Sequence, residues 1–301
     1  MPKVMEIPLK SRRPEWLKIR IKTGKGFTDT KLLLQSTRLN TVCEEAKCPN
    51  IYECWERKIA TIMILGDICT RACGFCSVRT GKPGDVDFEE PTRTADAVKR
   101  MGLRHVVITS VDRDDLKNDY GSTIWAETIR RIHSDVPDCS VEVLTPDFRG
   151  YLPALQNIFN ACPEIFSHNM ECVKRISKQT RPQSNWDTSK MVLAAGIDSR
   201  LVTKTGIMVG LGETDVEVIE TMKEMADLGI EIFNIGQYLQ PTSEHLPVDR
   251  YVHPDIFAYY KLKGLEFGFK VVESAPLVRS SYHADEQVHQ YRYRNKENDE
   301  Q

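Results

Sequence analysis

The feature that most restricts the fold of this chain is a recurrence of short, β-branched apolar runs separated by amphipathic segments. TIMILG (61–66), HVVITS (105–110), VEVLT (141–145), EIFSHN (164–169), VTKTGIMVG (202–210) and EIFNIG (231–236) are bounded by turn residues, as buried strands are. Between them, apolar residues recur at helical spacing: Ala97, Val98 and Met101; Trp125, Ile129 and Ile132; Leu152, Leu155 and Phe159. A longer stripe of Val216, Ile219, Met222, Met225 and Leu228 stops at Gly229. Such stripes predict core packing, not cofactor contacts. Six strands alternating with helices imply parallel β/α units with right-handed crossovers, arranged as an open doubly wound sheet or an incomplete barrel. KVVES (270–274) offers a further strand, and the tail RNKENDEQ is polar enough for disorder.

Composition narrows the class. At 301 residues the chain can bury one barrel-sized core or two smaller ones. Its 41% hydrophobic and 28% charged residues match globular averages. A net charge of −2 argues against a nucleic-acid binder, and no run approaches the roughly 20 apolar residues that cross a bilayer. The N-terminus lacks an apolar signal core, and Glu6, Pro8, Pro14 and Glu15 interrupt any basic presequence helix, so a cytoplasmic location is expected.

Nine cysteines are many for such a setting, where thiols stay reduced and structural disulfides are not expected. Cys139, Cys162 and Cys172 are scattered and read as small buried hydrophobes. The other six lie between Cys43 and Cys76. Cys69, Cys73 and Cys76 form a C-x3-C-x2-C triplet just after the first apolar run, where β/α proteins build active sites. A zinc site wants four ligands, and no nearby histidine supplies the fourth. A thioredoxin-type pair of Cys73 and Cys76 leaves Cys69 without a role. Three thiolates do suit a cubane iron–sulfur cluster with one iron open, and Gly74 eases the turn. Cys43, Cys48 and Cys54 make a second triplet, C-x4-C-x5-C. By itself it admits an open cluster, a zinc site with a remote ligand, or chance.

C-x3-C-x2-C with an aromatic residue before the last cysteine resembles the signature of the radical S-adenosylmethionine (SAM) superfamily. The resemblance implies a partial six-stranded β/α barrel of TIM type, with a [4Fe–4S] cluster on Cys69, Cys73 and Cys76. Its open iron would chelate the methionyl amino and carboxylate groups of SAM, and one electron would yield methionine and a 5′-deoxyadenosyl radical. The C-x4-C-x5-C triplet upstream, together with Arg279-Ser280-Ser281-Tyr282, resembles the lipoyl synthase family. This implies an auxiliary [4Fe–4S] cluster on Cys43, Cys48, Cys54 and Ser281, consumed as a sulfur reservoir. A hard alkoxide suits such iron poorly, which leaves one labile corner. Arg279 and Ser281 are thus candidate catalytic residues.

The likeness runs from about residue 30 to 284, through VVITSVDRDDL (106–116), PDFRG (146–150), HNMECV (168–173), MVGLGET (208–214), IGQYLQPT (235–242) and PVDRYVHP (247–254). Met170, Cys172, Thr205 and Ser274-Ala275-Pro276 depart from the family pattern without removing a cluster ligand. Phe75, Asn169, Glu171 and Met208 are candidate SAM contacts. For Asn169 and Glu171 a strand-capping role is equally open, and Met208–Glu213 does not have P-loop spacing. Asp112, Arg113, Asp114 and Asp115 sit on the expected rim with no assigned role. His133, His245, His253, His283 and His289 show no metal spacing and are expected on the surface or in packing.

The implied reaction is a sulfurtransferase one: two sulfurs enter at C6 and C8 of an octanoyl-lysine, using two SAM per product and an apolar channel. Implied partners are an octanoylated lipoyl-carrier domain (2-oxoacid dehydrogenase E2 or glycine-cleavage H protein), a ferredoxin or flavodoxin, and an iron–sulfur carrier for cluster repair. Neither nucleic acid nor membrane is among them. The expected division is an N-terminal extension (1–58), the barrel (59–268) and a C-terminal segment (269–301). Lys18, Arg20, Lys22 and Lys25 form either a docking surface for an acidic carrier or a solvated tail. The competing readings are another radical SAM sulfur-inserting or methylthiolating enzyme, a zinc-binding interaction module and an iron–sulfur sensor.

Overall fold

The computed structural model describes residues 13–19, 21, 23–57, 59–282, 284, 286 and 287. Arg20, Lys22, His283, His289 and the tail 294–301 lie outside the described residues. A two-residue strand, β1 (Asn40–Thr41), precedes the six expected ones: β2 (Thr61–Ile64), β3 (His105–Ser110), β4 (Ser140–Leu144), β5 (Ile165–Ser167), β6 (Val202–Val209) and β7 (Ile232–Gln237). KVVES supplies β8 (Val271–Ser274). From β2 to β8 each strand pairs in parallel with the next in the chain. β1 adds antiparallel to β2. This order contains no reversal, which a doubly wound sheet requires. The sheet is therefore an incomplete barrel: among the described residues β8 and β1 do not pair.

Helices α1 (Lys25–Thr37), α2 (Val42–Glu45) and α3 (Ile51–Glu56) come before the barrel. The crossovers carry α4 (Glu90–Met101), α5 (Ser122–Asp135), α6 (Leu152–Phe159), α7 (Lys174–Thr180), α8 (Trp186–Asp198), α9 (Asp215–Leu228) and α10 (Pro254–Phe267). Outward strand residues such as Ile62, Ile108 and Val143 pack on Val98, Trp125 and Ile129 of α4 and α5. On the other side Val209, Phe233 and Ile235 pack on Met222, Met225 and Phe257. Each fully buried side chain of this kind is worth roughly 1.5–3 kcal/mol.

Three apolar expectations fail for geometric reasons. Val216 is 53% exposed, because it lies about 120° round α9 from Met222 at ~100° per residue; Val218, Met222 and Met225 make the buried face. Leu152, the first residue of α6, is exposed, while Leu155 and Phe159 are buried. Cys162 is exposed in a left-handed turn (φ 58°) after α6, whereas Cys139 and Cys172 are buried as expected. Among the described residues no helix is long and apolar enough to cross a membrane.

Strand alternation sorts the barrel interior into layers. The floor holds Ile165, Ile232 and Val271 as a small apolar cluster, beside a buried ion pair in which Lys204 Nζ lies 2.9 Å from Glu142 Oε1. One layer higher, Met63, Thr109, Leu144, Gly206 and Asn234 face a cavity. Burial works against the Glu142 charge, but Lys204 and His105 hold its carboxyl below the usual range.

Glu142→Leu alone should strand the Lys204 charge and cost about 3–5 kcal/mol, read as a lower urea midpoint. Adding Lys204→Met should recover most of that loss. In the wild type the pair's contribution is complete above about pH 4.3. It should be lost only as pH falls through the lower folded value of Glu142.

Candidate active site

The cavity, about 480 Å³, sits over the C-terminal ends of the strands, where a parallel barrel gathers its loops. Cys69, Cys73, Cys76 and Phe75 line it on one side, and Cys43, Cys48 and Ser281 line it as well. The first triplet and two thiols of the second thus meet at one opening, although the triplets lie on opposite sides of β2 in the chain.

The loop from Cys69 to Cys76 is held from within by Arg71. Its guanidinium, only 3% exposed, donates twice to Asp114 (2.8 and 2.9 Å) and once to Asp147 (2.7 Å), with Asp112 at 3.3 Å. Asp112 and Asp114 follow β3 and Asp147 follows β4, so one cation ties the cysteine loop to two strand ends. Burial opposes the Asp114 charge, but bonds from Arg71 and Arg149 hold its carboxyl at about 2. Asp112 is pushed up to about 6, because burial outweighs Arg71 there. Backbone N–H groups of Arg71 and Asp112 donate to Cys69 Sγ at 3.4 and 3.3 Å. The charged run after β3 is therefore no solvated loop: Arg113 and Asp114 are buried and Asp112 is half-buried, with Asp115 alone exposed. Arg113 is itself paired with Asp115 and donates to the Leu65 and Gly84 carbonyls. Asp147 precedes two non-glycine residues in left-handed conformation, Phe148 and Arg149, and accepts from the Arg149 N–H at 3.0 Å. Backbone strain of this kind collects at functional sites.

In the second triplet Cys43 sits on α2, Cys54 on α3 and Cys48 in the turn between them. Burial pushes the Cys43 and Cys54 thiols up to about 12, and each feels the charge of its neighbours in the triplet. Cys54 is not on the cavity wall. The C-terminal segment crosses to meet these helices. Asn50 donates to the Leu277 carbonyl (2.7 Å), Thr61 Oγ1 donates to Ser281 Oγ (2.7 Å), and the Tyr282 hydroxyl reaches Glu53 (3.3 Å). Gly236 of β7 permits the crossing, since a Cβ there would collide with the Val278 carbonyl. Arg279 lines the cavity near Cys48, and burial draws its pKa down.

Asn169, Glu171 and Met208 also line the cavity. Asn169 donates to Glu171 Oε1 (3.1 Å) and to Ser280 Oγ (2.7 Å), and Glu171 has φ 67°. Both residues lie beyond the end of β5. Glu171 bridges to Ile207 on β6, so capping and cavity lining coexist. Residues absent from the sequence reading are Arg71, Asp147, His168 and Arg181. Burial and the nearby Arg181 lower the His168 pKa to about 4, so the ring is neutral and bonds Thr145 O (2.8 Å) and Ser189 Oγ (3.0 Å). Arg181 is buried, lines the cavity and makes no ion pair among the described residues; it donates to the Asn169 and Met170 carbonyls. Only the family block HNMECV hinted at His168, and nothing local marked the arginines.

The donor set fits iron–sulfur clusters and a polar small molecule. Cys43 is buried and the other five triplet cysteines are half-buried, yet among the described residues no three His, Cys, Asp or Glu side chains close on a single ion. Separated corners suit a cubane better than a mononuclear zinc site. Two buried polar atoms on the cavity wall, Thr145 Oγ1 and Asn234 Oδ1, have no partner among the described residues. Unsatisfied groups of this kind call for a ligand's donors.

Residues 63–225 match the radical SAM superfamily, and residues 3–48 match the N-terminal domain of lipoyl synthase of that family. A lipoyl synthase of Rubrobacter xylanophilus is 54% identical over 92% of this chain and 86% of its own length. One from Bacteroides fragilis is 51% identical over 95% and 98%, and a mitochondrial lipoyl synthase of Nematostella vectensis is 48% identical over 94% and 97%. Among solved structures, methylornithine synthase aligns with a TM-score of 0.53 at 12% identity, covering 87% of this chain and 82% of its own. Streptococcus suis SuiB bound to S-adenosylmethionine aligns at 0.55 and 10%, covering 76% and 54%. At such identities these two speak to the fold alone.

Losing a charged, buried hydrogen bond costs about 1.5–3 kcal/mol. Arg71→Ala should therefore open the cysteine loop locally. In the cluster-free protein, alkylation at Cys69, Cys73 and Cys76 should speed up about tenfold or more, while Cys43, Cys48 and Cys54 keep their rates. Peptide mass spectrometry reads both sets at once.

Proposed function

This chain belongs to the lipoyl synthase family of the radical SAM superfamily, and from that premise we propose that it inserts two sulfur atoms, at C6 and C8, into an octanoyl group carried on a lysine of a lipoyl-carrier domain. The observation that carries this reading is the meeting at one cavity of Cys69, Cys73 and Cys76 with Cys43, Cys48 and Ser281. A radical enzyme with a single cluster has no use for the second triplet.

In this reading Cys69, Cys73 and Cys76 hold the radical cluster, and Cys43, Cys48, Cys54 and Ser281 hold the auxiliary one. The bound clusters and SAM supply hydrogen abstraction from unactivated carbon and the sulfur that replaces it, chemistry beyond any side-chain acid or base. The chain's own residues bind, orient and exclude water. Arg181, a buried cation that makes no ion pair among the described residues, suits the methionyl carboxylate. Asn169 and Glu171 offer polar atoms for a ribose, and Phe75 and Met208 offer apolar cover. Thr61 holds the Ser281 hydroxyl at 2.7 Å, and Arg279 stands beside Cys48 as a fixed positive charge. Met63, Leu144 and Ile207 give the cavity an apolar wall for an alkyl chain.

Residues 1–58 form the extension that carries the auxiliary ligands, 59–268 the barrel, and 269–301 the segment that brings Ser281. The substrate is the octanoylated domain of a 2-oxoacid dehydrogenase E2 or a glycine-cleavage H protein. A ferredoxin or flavodoxin supplies electrons, an iron–sulfur carrier rebuilds the auxiliary cluster, and two SAM are used per product. The protein works in the cytoplasm, where thiols stay reduced.

Anaerobically reconstituted protein should bind about eight irons and convert an octanoyl-lysyl peptide to the lipoyl form with dithionite, read by mass. Cys43→Ala should keep SAM cleavage and lose sulfur insertion, with iron reduced by about half. Cys73→Ala should lose both activities. Loss of both in Cys43→Ala would defeat the division of labour between the triplets. Ser281→Ala should behave as Cys43→Ala does for sulfur insertion while leaving SAM cleavage in place.

A further inference from the structure

His245 carries no metal spacing in the sequence, yet the fold brings it against the Cys69–Cys76 loop. Its Nε2 lies 2.9 Å from the Cys76 carbonyl oxygen, and its Nδ1 lies 2.8 Å from Thr242 Oγ1. A carbonyl only accepts, so Nε2 carries the proton, and in the neutral ring Nδ1 accepts from the Thr242 hydroxyl. The ring has one orientation that satisfies both partners.

The loop that holds His245 is itself braced. The Tyr238 hydroxyl donates to the Leu246 carbonyl (2.6 Å), and Gln240 donates to the His245 carbonyl (2.8 Å). The Leu246 N–H donates to the Gly74 carbonyl (2.9 Å). The Leu246 side chain covers Gly74 so closely that a Cβ there would come within 2.8 Å of it. Residues 238–246 therefore grip Gly74 and Cys76 at two backbone points. From another side the Thr180 carbonyl accepts from the Gly74 N–H (2.8 Å). The first part of the same loop, Tyr238 to Pro241, lines the cavity.

We propose that His245 is a positioning residue for the radical centre: its Nε2–H bond to the Cys76 carbonyl locks the cysteine loop to the segment that forms the cavity wall. This rests on the reading of Cys76 as a cluster ligand. Relative position matters here because a misplacement of about 1 Å between reacting groups can cost ~100-fold in rate. A loosened loop leaves SAM cleavable but spends more of it without sulfur insertion.

The test uses the reconstituted holoenzyme with His245→Leu, His245→Asn and His245→Gln. A glutamine amide can donate from near the Nε2 position, whereas an asparagine amide reaches only as far as Nδ1. The ratio of 5′-deoxyadenosine formed to sulfur inserted should rise about tenfold or more in the Leu and Asn variants and return to within about twofold of wild type in the Gln variant. The EPR spectrum of the reduced cluster with SAM should be altered in Leu and Asn and restored in Gln. Equal ratios and spectra across all three variants would overturn the proposal, whether coupling is kept or lost in common. If the Leu variant does not hold its clusters, the Asn–Gln comparison decides. If wild-type protein inserts no sulfur, the functional reading fails instead, and the EPR comparison, which needs no octanoyl substrate, still decides His245.

Discussion

The site depends on one buried cation. Arg71 lies inside the cysteine loop, almost without solvent, and its charge is tolerable only because Asp114 and Asp147 bond it directly and Asp112 stands beside it. A charge in that position without partners would cost several kcal/mol. The dependence runs in both directions: three carboxylates crowded at the ends of β3 and β4 would repel one another without the guanidinium. The loop that leaves β2 therefore has one stable seat, over the next two strands. Strand order sets that seat, since parallel neighbours in chain sequence bring consecutive strand ends side by side.

The second constraint is the missing closure of the barrel. A sheet whose end strands do not pair leaves a gap that must be covered by something other than a strand. Here the segments flanking the sheet meet: the stretch that carries Cys43, Cys48 and Cys54 comes from before β2, and the segment carrying Ser281 comes from after β8. Asn50 with the Leu277 carbonyl and Thr61 with Ser281 join them. The gap in the fold is thus the place where the second triplet gains access to the cavity.

Electrostatics divide the interior by depth. The floor neutralises its charges internally, with Lys204 against Glu142. Higher up, His168 is held neutral, while Arg181 makes no ion pair among the described residues and Thr145 and Asn234 keep atoms without partners. The charged pair of the floor is satisfied internally, whereas polar atoms on the cavity wall are left open. Stability is surrendered for function at that level, in keeping with the left-handed residues at 148, 149 and 171.

Local order alone determined much of this protein. Short β-branched apolar runs announced β2 to β8, and period-3.6 patterning announced α4, α5, α6 and α9, because burial is written in residue spacing; β1 and the helices α1, α8 and α10 were not announced. The triplets were equally legible, since ligands on one loop must be close in sequence. Patterning could not choose between an open sheet and an incomplete barrel, because strand order is a long-range property. It also misjudged Val216 and Leu152, whose spacing was right but whose helix face or end was not turned inward. Arg71, Asp147, Arg181 and the orientation of His245 were decided only by the tertiary structure. Arg71 and His245 act through partners 43 to 169 residues away, and a lone arginine or histidine in a sequence says nothing of what the fold will set beside it.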